Sequence, residues 1–168
     1  YHYSITFFKL PLEEWFFFIV IPYVSIFLHD SIMLYFSKIR INNILAKYLS
    51  VGLLLASLTI VLFNLEQAYT AYSFSLVILV LIFSFFDKTN TINSFYCTFL
   101  AILVPFIAVN AILTGSFINE PVVWYNNNEN LGVRFLTIPI EDFGYAFSLI
   151  FFNLLLRNKL KNFFYGSK

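Results

Sequence analysis

Two pairs of carboxylates open two apolar segments of this chain in the same way. Leu10-Pro11-Leu12-Glu13-Glu14-Trp15 and Ile138-Pro139-Ile140-Glu141-Asp142-Phe143 both read apolar, Pro, apolar, Glu, acid, aromatic. Pro suits the first position of a helix and an acid in the first turn complements the positive end of its dipole, so one copy is ordinary helix-start chemistry. Two copies in a chain with only 11% charged residues ask for a further cause. Neighbouring helical residues point about 100° apart, which lets one acid of each pair face an apolar cavity while the other supports it. Desolvation raises the pKa of a Glu by up to ~3–5 units, against about 0.3–1 kcal/mol from the dipole, so burial decides whether such a group keeps its proton. Glu13 and Glu141 are the acid and base candidates, because Glu stands at that place in both copies. Glu14 and Asp142 are their partners, and two carboxyls sharing a site titrate as a coupled pair.

Other polar residues gather at the same level. Asn110 and Thr114 are spaced i, i+4 and share one helix face, in a helix that Pro105 interrupts. Asn110 either lines a pocket or bridges helices as a membrane amide. The following polar stretch brings Tyr125 and Arg134 back toward Glu141, and Glu66 precedes Tyr69 and Thr70 at the head of another apolar run. Trp15, Trp124 and Tyr125 also suit interfacial anchoring. His29-Asp30 reads either as a proton relay or as a local hydrogen-bonded pair.

Several chemistries are excluded. Cys97 is the single cysteine, so there is no intramolecular disulfide and no cysteine-based metal cluster. Asp occurs only at 30, 87 and 142, with no Asp-rich cluster to hold magnesium and a diphosphate. The five glycines form no G-x-G-x-x-G, and nothing supports a flavin or nicotinamide site. Neither metal nor cofactor is expected. A net charge of +1 leaves no basic excess for nucleic acid.

The elements that must position these residues are membrane helices. Of 168 residues, 60% are hydrophobic and 21% aromatic, with a mean hydropathy of +0.81. A soluble domain carries roughly 25% charged residues, so this chain could not cover its own surface with polar groups. Five stretches reach or approach the roughly 20 apolar residues a membrane helix needs: 12–36, 44–63, 68–86, 94–115 and 139–156. The fold expected is an all-α, polytopic transmembrane bundle, with a real loop over 116–138. If the spans alternate, Lys38, Arg40, Lys47, Lys88, Arg157, Lys159, Lys161 and Lys168 flank one side, and only Lys9 and Arg134 the other. The positive-inside rule makes the first side cytoplasmic and puts the carboxylate motifs on the non-cytoplasmic face, with the cell membrane as the expected location.

The duplicated motif opens spans that run in the same direction, as parallel repeats do when they build a site at their interface. Residues 1–36 would close a first repeat, 37–67 would be a connector with one span, and 68–168 would form a second repeat. The chain starts at Tyr1, and the earlier part of the first repeat would bring the whole to seven spans.

The paired P-x-E-[ED] openings, Asn110-Ala111-Ile112-Leu113-Thr114-Gly115, Tyr125, Gly132-Val133-Arg134 and Thr137-Ile138-Pro139-Ile140-Glu141-Asp142 together resemble the small membrane-embedded lycopene cyclase domain family. The resemblance implies an isomerase that turns the linear ψ ends of lycopene or a related carotenoid into β-ionone rings, without flavin. Members of that family occur as two short subunits, as one tandem chain or fused to phytoene synthase, so self-association or a partner cyclase subunit is expected beside the lipid bilayer. The competing reading from the residues alone is a small proton- or cation-coupled transporter or channel subunit that uses the duplicated carboxylates.

Overall fold

The computed structural model describes residues 6–7, 10–118 and 120–166, with side chains at 15, 16, 18–118, 120–164 and 166. Five helices dominate: α1 Leu12–Tyr35, α2 Asn43–Phe63, α3 Ala68–Phe85, α4 Thr91–Leu113 and α5 Ile140–Tyr165. Two small hairpins accompany them. Strand β1 (Thr6–Phe7) pairs with β2 (Leu10–Pro11) ahead of α1, and β3 (Arg134–Phe135) pairs with β4 (Ile138–Pro139) ahead of α5.

Apolar sequence in lipid must satisfy its backbone internally, and long helices do so. Four helices are long and apolar enough to cross a membrane, α1 through α4. The fifth forms as expected but falls short on composition, because it opens with Glu141 and Asp142 and carries Arg157, Lys159 and Lys161 in its second half. It runs nine residues past the expected end of its span, and its basic half extends the helix beyond the apolar stretch. Helix α4 starts three residues earlier than expected. Asp87 explains this: its Oδ2 accepts from Thr91 N (2.9 Å) and its Oδ1 from Thr89 N (3.0 Å) and Thr89 Oγ1 (2.6 Å). It ends at Leu113, where the chain turns through Gly115 at φ +98°.

The core lies between α3, α4 and α5. Phe95 and Phe151, both fully buried, stack with ring centroids 4.7 Å apart, and Phe147 closes on Phe95 at 5.2 Å. Val77, Leu81 and Leu154 complete the contact. On α2 the buried residues are Ala46, Ser50 and Ser57, and Leu45, Leu55, Leu62 and Phe63 face outward as lipid contacts would.

Helices α3 and α5 run parallel. Their N-termini meet at Tyr69 and Asp142, Gly144 lies against Phe74 and Val77, and Phe83 meets Phe152 further along. Helices α1 and α5 share that direction, joined near their far ends by an ion pair of Asp30 with Arg157. His29, also near that end, is buried and bonds Thr98 of α4 through Nδ1 at 2.7 Å.

The hairpins correspond residue for residue. Thr6 pairs with Pro11 and Phe7 with Leu10; Arg134 pairs with Pro139 and Phe135 with Ile138. In each case the proline ends the second strand and the next residue starts the helix that carries the acids. Proline donates no backbone hydrogen bond, so it fits both a strand end and a helix start. Leu136, in the second hairpin's turn, takes a left-handed φ of +57°, a conformation that favours glycine.

Candidate active site

The acids of α5 sit in its first turn, where the β3–β4 hairpin delivers them against the start of α3. Glu141 is fully buried. Its Oε1 accepts two hydrogen bonds, from Thr70 Oγ1 at 2.6 Å and from the backbone N–H of Leu131 at 2.7 Å. Its Oε2 is buried and has no partner among the described residues.

Asp142 is arranged differently. Tyr69 OH donates to Oδ1, and Tyr125 OH donates to Oδ2 at 2.6 Å. Two phenols therefore clamp the carboxylate, with ring centroids 5.8 Å apart. Burial, then the hydrogen bond to Asp142 and its charge, push the Tyr125 hydroxyl well above the ordinary phenol range, so Tyr125 remains a donor. Arg134 lies over the Tyr125 ring with its guanidinium carbon 5.7 Å from the centroid.

The loop before the hairpin closes the site from the end of the bundle. The carbonyl of Glu129 accepts from Tyr69 N (3.0 Å) and Thr70 N (3.3 Å), satisfying two donors that a helix start leaves free. Asn130 is buried, its Oδ1 accepts from Gly132 N, and its Nδ2 has no partner among the described residues. Leu131 then supplies its N–H to Glu141. Three consecutive residues thus join the heads of α3 and α5.

The expected site residues fall into groups. Glu141, Asp142 and Tyr125 come together directly. Arg134 is exposed and meets the cluster over the Tyr125 ring; its guanidinium donates to Thr137 O (2.9 Å) and Asn127 Oδ1 (2.6 Å). Thr114 is buried and bonds the Thr137 hydroxyl at 2.5 Å, which ties the end of α4 to the hairpin two residues before Pro139. Asn110 turns back on its own helix, donating to Phe106 O at 2.9 Å, and makes no hydrogen bond to Glu141 or Asp142 among the described residues. Glu66 is exposed in the turn before α3 and makes no hydrogen bond to the cluster among the described residues. The side chains of Glu13 and Glu14 lie outside the described residues; their backbone is in the first turn of α1. No group of His, Cys, Asp and Glu suited to a metal is found among the described residues.

Asn130, Leu131 and Thr137 are participants that sequence reasoning missed. Asn130 stands in a run of Asn and Glu that reads as a solvated loop, and a backbone N–H leaves no mark in residue type. For Thr137 the signal was its place two residues before the motif's proline.

A family model described as lycopene cyclase matches residues 1–32 and 66–160. The chain belongs to the lycopene cyclase family. No curated protein and no solved structure matches it. Membership of this family makes the chain a carotenoid cyclase of the membrane. The matched stretches contain most of α1, all of α3 and α4, and α5 as far as Leu160, with every residue of the carboxylate cluster; they pass over α2.

Proposed function

We propose that the chain cyclises linear ψ end groups of lycopene to β-ionone rings by a proton-initiated isomerisation that needs no redox cofactor, with Glu141 as the acid. The observation that carries this reading is the division of labour within one carboxyl group. Thr70 and the Leu131 amide fix Oε1, while buried Oε2 is unpartnered. A proton on Oε2 passes to the terminal double bond of the substrate and leaves a tertiary cation. An internal double bond attacks that cation and closes the ring. Glu141, left as a carboxylate by the first step, takes a proton from the new cation and so restores a double bond, which leaves the formula unchanged, returns the acid to its starting form and exchanges no electrons with a cofactor. Asp142, held by Tyr69 and Tyr125, supplies fixed negative charge beside the developing cation, an electrostatic contribution of the kind that preorganised sites make. Glu13 and Glu14 are the corresponding acids of the first repeat, a reading supported by the matching register of the two hairpins.

The domain reading rests on the same correspondence: 1–36 closes a first repeat, 37–67 connects, and 68–168 is the second repeat. A chain built this way meets its substrate at the interface of its own repeats or of a partner cyclase subunit. The carboxylates face the non-cytoplasmic side of the cell membrane, as the basic residues at the other end suggest.

Expression in lycopene-accumulating cells tests the acid. Glu141→Gln should abolish ring formation with the protein still in the membrane fraction, read by chromatography of the pigments. In deuterium oxide the wild type should retain one deuterium for each ring formed. Normal cyclisation by Glu141→Gln, or rings without deuterium, would falsify the mechanism.

A further inference from the structure

At the end of the bundle opposite the carboxylates, a cleft of about 550 Å³ opens between the C-terminal end of α3 and the second half of α5. Its wall is apolar: Phe83, Phe86, Phe152 and Leu155, with Phe86 79% exposed and the Phe83 and Phe152 rings 6.4 Å apart. Its rim carries Lys88 and Lys159, both exposed and neither in an ion pair among the described residues. The rim's acid, Asp87, has both oxygens engaged by Thr89 and Thr91. Asn158 is engaged too, donating to Thr91 Oγ1 at 2.9 Å and accepting from Arg157. What the cleft offers to a ligand is two uncommitted ammonium groups above an aromatic wall. This is a match for one phosphate carried on an apolar chain, and it lies at the membrane face where Lys38, Arg40, Arg157 and Lys161 also gather. Basic pockets between membrane helices on that side suit anionic headgroups.

We propose that this cleft binds the headgroup of an anionic phospholipid, its phosphate between Lys88 and Lys159 and its acyl chain along Phe83, Phe86 and Phe152. The site is independent of the carboxylate cluster, and its occupant holds α3 and α5 together at the end remote from the reaction.

Titration of the purified full chain with phosphatidylglycerol and with phosphatidylcholine, read by native mass spectrometry, tests the assignment. A one-to-one phosphatidylglycerol adduct should form in preference to phosphatidylcholine. Each lysine near an anionic headgroup contributes about fivefold, so Lys88→Gln with Lys159→Gln should weaken that adduct by more than about tenfold, and Arg at both positions should restore it. Lys38→Gln with Arg40→Gln removes the same charge outside the cleft, on the same face of the bundle, and should leave the adduct unchanged. Equal loss in the two double variants would show only a general surface field and overturn the site, as would no loss in the first. Phe86→Ser should weaken phosphatidylglycerol without changing binding of inorganic phosphate. Inorganic phosphate binding as tightly as the lipid would overturn the lipid as occupant. Unchanged helical circular dichroism in every variant ensures that a lost adduct reports the cleft and not the fold.

Discussion

Glu141 and Asp142 are neighbours in sequence and have opposite surroundings. The first keeps one buried oxygen without a partner among the described residues; the second has each oxygen tied to a phenol. Hydrogen bonds to a charged group are worth about 1.5–3 kcal/mol, so Tyr125→Phe should slow ring formation by roughly tenfold or more. Substrate binding should change little, because the lost bond supports a carboxylate and not the carotenoid. Initial rates with membranes over a range of lycopene concentrations check this. The same phenol has a pH signature. Because its folded pKa is raised above the unfolded value, the Tyr125 bond is fully present below about pH 10 and is lost only as the pH climbs through the higher folded value. Activity of the wild type should therefore show no loss attributable to Tyr125 up to pH 10. An alkaline decline near the ordinary phenol pKa that disappears in Tyr125→Phe would contradict the clamp.

At the scale of elements, the distance between α3 and α5 sets the site. A Cβ at Gly144 would come 3.4 Å from Val77 Cγ2 and 3.7 Å from the Phe74 ring, ordinary contact for a methyl and no room for more. Gly144→Ala should keep most of its activity, whereas Gly144→Leu should wedge the helices apart one turn below Glu141. The larger residue should cost about 1–3 kcal/mol in stability, the usual penalty of overpacking, and more in turnover, because Tyr69 and Thr70 retreat from both carboxylates. Thermal unfolding in detergent and pigment analysis measure the two effects. Much of this level was legible in the sequence. Runs of 18 or more apolar residues announce α1 to α4, and the repeated Pro-x-Glu-acid announces where α1 and α5 begin, because propensity and patterning act locally. The hairpins ahead of those helices were not legible: each strand has two residues, and a two-residue strand carries no alternation to read. The end of α5 was missed for a related reason, since a polar helix leaving the lipid loses the hydropathy signal and keeps its backbone hydrogen bonds. Asn110 and Thr114 share a face by spacing, yet only Thr114 reaches another element, because the amide satisfies itself on Phe106. Residue type and period locate a side chain on its helix and do not choose among the partners within its reach.

The whole molecule has two unlike ends. One carries the carboxylates and the hairpins, the other the basic residues and the lipid cleft, and α1, α3 and α5 all run from the first to the second. The proposed orientation gives a labelling result: in a Cys97→Ser background, Asn127→Cys should react with an impermeant maleimide added to intact cells, and Lys161→Cys only after lysis. The reverse pattern would invert the assignment of sides. Helix α2 packs along α3 and lies outside the family match. The seal formed by Glu129, Asn130 and Leu131 bears on the product as well as on the architecture. On the proposed mechanism a tertiary cation exists beneath those three residues, and water that reached it would add oxygen in place of a ring. Opening the seal with Asn130→Gly should let a fraction of the substrate leave as a hydroxylated, uncyclised carotenoid, heavier than lycopene by one water in mass spectrometry. By this reckoning the three loop residues are what separates a cyclase from a hydratase.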